Sequence, residues 1–346
     1  MNVESFLDSG TVVSIGNGRL LIGWGPRRWM QHSDPSAPSF YFPDFFLSNT
    51  APWFQHEHWQ EISQEALSDL IQPSTEAKSI AWKQPNETLF LQSFADIQAR
   101  LASKELRKAV PFAFALSAES MTSSLFHRSF GHIIHYIQSH PLHLYGFWDR
   151  DEGILGATPE LLFSMESSVL HTVALAGTYS KSASKSALLQ DPKELHEHQL
   201  VVDGIKEGLE PFSSVSAGKV SVLELPTLYH LMTPIEARLH DAVSFDAVVK
   251  ALHPTPALGA FPRPAGMRWL KSFRAEVDRG RFGAPAGVVY AGGAKAQCWV
   301  AIRNVQWNRD GLALGAGCGV VPASQPNKEW AEINLKLDAI KRMLAL

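Results

Sequence analysis

The stretch CWVAIRNVQWNRDGLALGAGCGVVPASQPNKEWAEINLK, residues 298–336, decides how this chain folds. Residues 298–307 and 312–315 are apolar, β-branched and aromatic enough to read as strands. Asn308-Arg309-Asp310-Gly311 between them has the composition of a tight turn. With residues 286–290 ahead of them, these segments form a meander, and a meander is antiparallel. The period then changes from strand to helix. After Gly315-Ala316-Gly317-Cys318-Gly319-Val320-Val321, the pattern over 326–344 is helical, with Glu329 and Glu332 at i and i+3 and Lys336 four residues further on. A glycine-rich strand end thus leads into a helix carrying two carboxylates and a lysine, a wall suited to a metal and an anionic ligand.

Outward from this stretch, residues 11–24 read as a hairpin about Gly16-Asn17-Gly18. Further strands are expected over 88–94, 112–116, 143–148, 154–163, 169–174 and 220–225. Helical patterning covers 95–107, 124–138, 191–210, 264–279 and 326–344. The aromatic, proline-studded segment over 29–59 has no assignable pattern. Strands mostly follow one another rather than alternating with helices, which predicts an α+β fold (α/β in loose usage) with a large antiparallel β core flanked by helices. No strong linker divides the chain, so residues 1–346 are expected to form a single domain.

With 346 residues, 45% hydrophobic and 19% charged, the chain has the composition of a globular protein with a substantial core. A net charge of -3 without any lysine or arginine run gives no reason to expect nucleic acid or an anionic membrane as partner. The two cysteines, Cys298 and Cys318, show no ligand spacing. No apolar run approaches a membrane span, and no leader pattern opens the chain. A cytoplasmic location is expected.

A second helix repeats the carboxylate spacing in Lys193-Glu194-Leu195-His196-Glu197-His198, followed by Val201-Val202-Asp203. Glu pairs of this kind are ordinarily solvated helix surface. Two of them without matching histidine or cysteine ligands suit a hard cation such as magnesium. A competing zinc reading rests on His132 and His135 at i and i+3, with His127 and His140 nearby and His196 and His198 flanking Glu197, and lacks a third ligand at a recognised spacing. Gly177-Thr178 can offer backbone N–H groups and a hydroxyl to a carboxylate, or can simply be a tight turn.

Taken in order, Gly156-Ala157-Thr158-Pro159-Glu160, Leu175-Ala176-Gly177-Thr178, Glu194 to Asp203, Leu228-Tyr229-His230-Leu231, Leu252 to Gly259, Ala301-Ile302-Arg303, Gly315 to Val321 and Glu329 to Lys336 resemble the chorismate-utilising enzymes. That group comprises isochorismate, salicylate, anthranilate and aminodeoxychorismate synthases. The motif-bearing part covers about 100–346, and residues 1–90 form a divergent N-terminal part.

The resemblance implies a single domain with a large antiparallel core, chorismate as substrate and Mg2+ as cofactor. By position it implies Glu197 and Glu332 as direct magnesium ligands, with Glu194 and Glu329 beside them. Arg303 would pair with the enolpyruvyl carboxylate, a role suited to a planar bidentate donor. Gly177, Thr178, His230, Gly317 and Lys336 would line the rest of the substrate site.

Few residues separate the subtypes. The covalent aminodeoxychorismate synthases resemble this chain but carry a lysine nucleophile where Ala176 stands, and a methyl group offers no such chemistry. Lys108, where ammonia-using members carry glutamine, points to water as the nucleophile and to no obligatory glutaminase partner. The implied reaction is that of isochorismate synthase, an isomerase. Lys108 would be the base for water attacking C2, and Glu160 the acid for the departing C4 hydroxyl. Both groups must be moved toward neutrality by their surroundings. Lys104 is the fallback for the base if the register is shifted, because Pro111 makes the strand after Lys108 an edge or displaced strand. His230-Leu231-Met232-Thr233-Pro234 is more similar to the isochorismate group than to the salicylate formers. A salicylate synthase, an ammonia-using synthase component and a non-catalytic chorismate-binding paralogue are the alternatives. Whether the product would serve menaquinone or siderophore biosynthesis is left open.

Overall fold

Alternation of side chains along the strands gives one sheet two different cores. Val13, Leu21, Tyr145, Phe147, Ile154, Val288 and Trp299 pack with Phe40 and Phe54 between facing parts of the sheet. Their neighbours Val12, Leu20, Ile22, Leu144, Trp148 and Leu155 point the other way. That opposite face is covered by helices Glu87–Ala102, Ser123–Gln138 and Pro326–Leu344, which contribute Phe90, Phe130 and Ile333 among others. Elsewhere the outer face carries Leu170, Ala174, Cys298 and Val300, packed against Val201, Val202 and Ile205 of helix Pro192–Leu209 and Val248 and Val249 of helix Phe245–Leu252. Period-2 burial on both faces is what a sheet enclosed by helices outside and by itself inside requires.

The computed structural model describes residues 1–73, 79–274 and 278–346. The sheet runs Ser213–Ala217, Leu228–Leu239, Val169–Ser180, Leu161–Glu166, Lys295–Val300, Pro285–Tyr290, Ser39–Tyr41, Trp53–Ser63, Arg19–Met30, Gly10–Gly16, His143–Trp148, Gly153–Thr158, Asn304–Asn308, Gly311–Gly317 and Phe112–Ser117. Ser221–Glu224 pairs beside this path with Leu228–Leu239. Pairings among the described residues are antiparallel. The architecture is therefore the α+β arrangement that the succession of strands predicts. The aromatic segment over 29–59 supplies Ser39–Tyr41 and parts of Arg19–Met30 and Trp53–Ser63, so the N-terminal residues belong to the same sheet as the rest.

Several expectations need correction. Residues 88–94 are not a strand but the front of helix Glu87–Ala102. The Asn86 side chain caps it by accepting from Leu89 N at 3.0 Å, and Phe90, Phe94, Ile97 and Leu101 face the core at helical spacing. That helix also ends at Ala102, short of 107. The strands expected over 154–163 and 298–307 are each two, Gly153–Thr158 with Leu161–Glu166 and Lys295–Val300 with Asn304–Asn308. Lys295–Val300 pairs with Pro285–Tyr290 and Asn304–Asn308 with Gly311–Gly317 at distant places in the sheet, so the expected meander is instead two separate hairpins. The helix expected over 264–279 is Arg263–Arg274, and 275–277 lie outside the described residues. Phe112–Ser117, after Pro111, is one of the sheet's edge strands, with Lys83 bridging Leu116 on its open side. No helix among the described residues is long and apolar enough to cross a membrane.

Candidate active site

Helix Pro192–Leu209 starts where Asp191 accepts hydrogen bonds from Lys193 N at 2.8 Å and Glu194 N at 3.1 Å, with Pro192 preset for the first turn. Its inward face carries Glu194, Glu197 and His198 in line with Val201, Val202 and Ile205. Buried carboxylates are costly unless compensated, and here cations compensate them. Lys193 Nζ lies 2.8 Å from Glu194 Oε1, 3.4 Å from Glu197 Oε2 and 3.2 Å from Glu329 Oε1. Lys108 Nζ lies 3.1 Å from Glu197 Oε1. Burial acts to raise the Glu197 pKa, but Lys108 and Lys193 outweigh it and hold the carboxyl below its ordinary value. Burial and the neighbouring Glu197 raise that of Glu194.

Helix Pro326–Leu344 opens on Pro326 and aligns Glu329 with Ile333, Leu337 and Ile340 on its buried side. Burial, then Glu332, raises the Glu329 pKa. Lys336 Nζ donates to Glu332 Oε1 at 2.6 Å and to Gly317 O at 2.8 Å, fixing the helix to the glycine-rich strand end. Surface exposure, the ordinary reading of these Glu pairs, does not hold: Glu194, Glu197 and Glu329 are buried and Glu332 is partly so.

Opposite the helices, strand Val169–Ser180 shifts register between Ala176 and Thr178, and Gly177 takes φ +79 to make the bulge. The bulge turns Thr178 N toward Glu194 Oε2 at 2.9 Å and sets Thr178 across from His230. His230 contacts Thr178 Oγ1 through Nδ1 at 3.1 Å and Arg303 Nη2 through Nε2 at 2.9 Å. A guanidinium only donates, so Nε2 accepts and Nδ1 carries the proton. Burial, then Arg303, pushes the His230 pKa well below its usual value, which keeps the ring neutral. Arg303 interrupts the strand with a left-handed backbone, φ +56, and burial lowers its pKa to about 10.

Lys108, 1% exposed, lies on the short strand Lys108–Ala109, paired with Ala260–Phe261. Lys104 is exposed, following the end of helix Glu87–Ala102 with φ +62, and does not reach the site. Glu160 follows Pro159 in the break between two strands, where burial raises its pKa to about 7 against the opposing pull of Lys108, Lys336 and Arg303.

Lys108, Glu160, Gly177, Thr178, Glu197, His230, Arg303, Gly317, Glu332 and Lys336 all line one cavity with about 670 Å³ of empty space, part of it open to solvent. Glu194 and Glu329 stand beside it, lining an outer chamber that shares Thr178 and Glu332 with the cavity. Sequence reasoning gave no role to Lys193, although a lysine one residue before the first Glu and four before the second can reach both. It also missed Gly319, which passes against Lys108 and Glu197, and Cys318 in the cavity wall. The expected zinc alternative does not assemble: His127 and His132 are exposed, and His135 bonds Ser68 Oγ and Gly131 O. Among the described residues no three His, Cys, Asp or Glu groups close on one point at metal-ligand geometry. At the carboxylate cluster an ammonium stands among them. The donor set, carboxylate oxygens already gathered round one positive charge, fits a hard divalent cation such as magnesium.

The chain is 38% identical over 200 residues to the salicylate biosynthesis isochorismate synthase of Pseudomonas aeruginosa, covering 55% of this chain and 42% of that one. It is 32% identical over 202 residues to the isochorismate synthase EntC of Escherichia coli, covering 56% of this chain and 51% of that one. It thus spans about half the length of the curated relatives it matches. Its fold matches MenF, the menaquinone-specific isochorismate synthase of Escherichia coli, with a TM-score of 0.77 at 18% identity over 97% of this chain and 88% of that one. It also matches anthranilate synthase component I of Streptococcus pneumoniae, with a TM-score of 0.72 at 18% identity over 96% and 90%. The family model for chorismate binding enzymes matches residues 47–345, and the chain belongs to that family.

Proposed function

We propose that the protein is an isochorismate synthase that adds water to C2 of chorismate and expels the C4 hydroxyl. The observation that supports this reading is that Lys108, Glu160 and Arg303 line the same cavity, two groups able to exchange protons beside a cationic fork.

Arg303 offers its planar fork to the enolpyruvyl carboxylate, held in place by its bond to His230. Glu160, with its pKa raised to about 7, still carries a proton in a substantial share of molecules at neutral pH and can give it to the C4 oxygen as that C–O bond breaks. Lys108 takes a proton from the water whose oxygen bonds to C2, and the ring double bonds shift between. One water enters and one leaves, so the net change is an isomerisation. The contact of Lys108 with Glu197 must loosen for this step. Glu197 and Glu332 would hold magnesium, with Glu194 and Glu329 next to them. When bound, the metal neutralises the ring carboxylate. The protein is expected to act alone on this small substrate, without a glutaminase.

Chromatography of the products formed from chorismate with magnesium tests the reading. Isochorismate alone supports it. Salicylate with pyruvate shifts it to a bifunctional enzyme, anthranilate on adding ammonium rejects the water-adding assignment, and binding without product leaves a chorismate-binding protein. Lys108→Gln should abolish hydration, and full retained activity would remove Lys108 as the base.

A further inference from the structure

Lys193 has a task that the mechanism leaves unassigned. Its ammonium touches three carboxylates drawn from two helices, Glu194 and Glu197 from one and Glu329 from the other. Two of these acids are anchored from elsewhere: Thr178 N holds Glu194 and Lys108 holds Glu197. The lysine is the most exposed member. Its side chain is 20% exposed against 8%, 7% and 4% for the three acids. It lines the outer chamber, about 1110 Å³ of empty space beside Ser324, Gln325 and Lys328. Without Lys193, only Lys108 at Glu197 would offset the repulsion among three closely spaced buried carboxylates.

We propose that Lys193 is a built-in counter-cation that gathers the carboxylates before metal arrives, and that a divalent ion binds by expelling its ammonium into the outer chamber. The cluster stays assembled and affinity for metal is moderated, because entry must break the lysine's contacts. This rests on the functional reading above only for the identity of the metal, since the competition itself involves no chorismate.

Titration calorimetry of the whole chain with Mg2+ and with Mn2+, without chorismate, tests it. Lys193→Met is expected to bind metal about tenfold more tightly than wild type, the factor for one charge-assisted contact no longer given up. Its melting temperature without metal should fall, and the rise on adding metal should exceed that of wild type. A metal affinity in Lys193→Met equal to or weaker than wild type, or no binding by either protein, would overturn the proposal. If the variant does not fold, wild type still decides. Acetylation of Lys193, followed by mass spectrometry, should rise several-fold on saturation with Mn2+ as the ammonium leaves its cage, and unchanged labelling overturns the idea. Turnover with unaltered metal affinity in the variant sinks this inference alone. A competitive lysine in a protein that forms no isochorismate sinks the catalytic reading alone.

Discussion

Gly319 and Glu197 meet so closely that a Cβ on the glycine would stand 1.9 Å from Glu197 Oε1 and 2.8 Å from Lys108 Cε. Bare backbone at this position is what lets the Lys108–Glu197 pair form. Gly319→Ala should therefore displace both side chains, lowering kcat on chorismate at least about tenfold and stability by about 1–3 kcal/mol. Steady-state product formation and thermal unfolding measure the two effects. A variant with wild-type kcat would show that the pair does not depend on this approach.

Glu160 should confer a falling limb on the pH dependence of kcat. Its pKa of about 7 means that a donor present at pH 6 is mostly lost by pH 8. Stability should move in the same sense. The folded value lies above the ordinary 4.5, so its contribution is fully present below pH 4.5 and is lost as pH rises toward 7. Glu160→Gln, with no proton to lose, should be inactive yet gain on wild type by up to about 3 kcal/mol at pH 8. Denaturant unfolding at pH 4.5 and pH 8 gives the comparison, and equal differences at both would refute a raised folded-state pKa.

Removing Lys108 leaves Glu197 buried beside one fewer cation. Lys108→Met should lose about 3–5 kcal/mol in urea unfolding, and adding Glu197→Gln to it should recover part of that loss. If the two substitutions simply add, the pair is not energetically linked.

His230 should remain a neutral imidazole with its proton on Nδ1 from pH 6 to pH 8, since burial and Arg303 oppose its charging. Nitrogen-15 NMR of the ring would reveal the tautomer, and a titration within that range would contradict the assignment. His230→Ala, freeing Arg303, is expected to raise KM for chorismate more than it lowers kcat.

Much of this site was legible because helix starts leave strong local marks. Asp191-Pro192 and Pro326 announce the helices that carry Glu194, Glu197, Glu329 and Glu332. Residues 88–94 mislead because the dense apolar run Leu89-Phe90-Leu91 has the composition of a strand, while the helix signal is the cap at Asn86, ahead of it. The two strands read as continuous conceal more. They break at Pro159-Glu160 and at Ile302-Arg303, and both breaks put a side chain into the cavity that an unbroken pleat would have directed by alternation alone. Lys193 and Gly319 escaped notice because their importance depends on what approaches them from distant parts of the chain, which periodicity does not encode.

Arg303 holds its guanidinium in the cavity from a backbone conformation that suits glycine better. Glycine there would relax the turn while discarding the anion-binding fork. A directed-evolution campaign that rewards heat resistance alone should thus accumulate glycine at position 303 and drift toward sturdy but inert proteins, so any such selection must screen for turnover at every round.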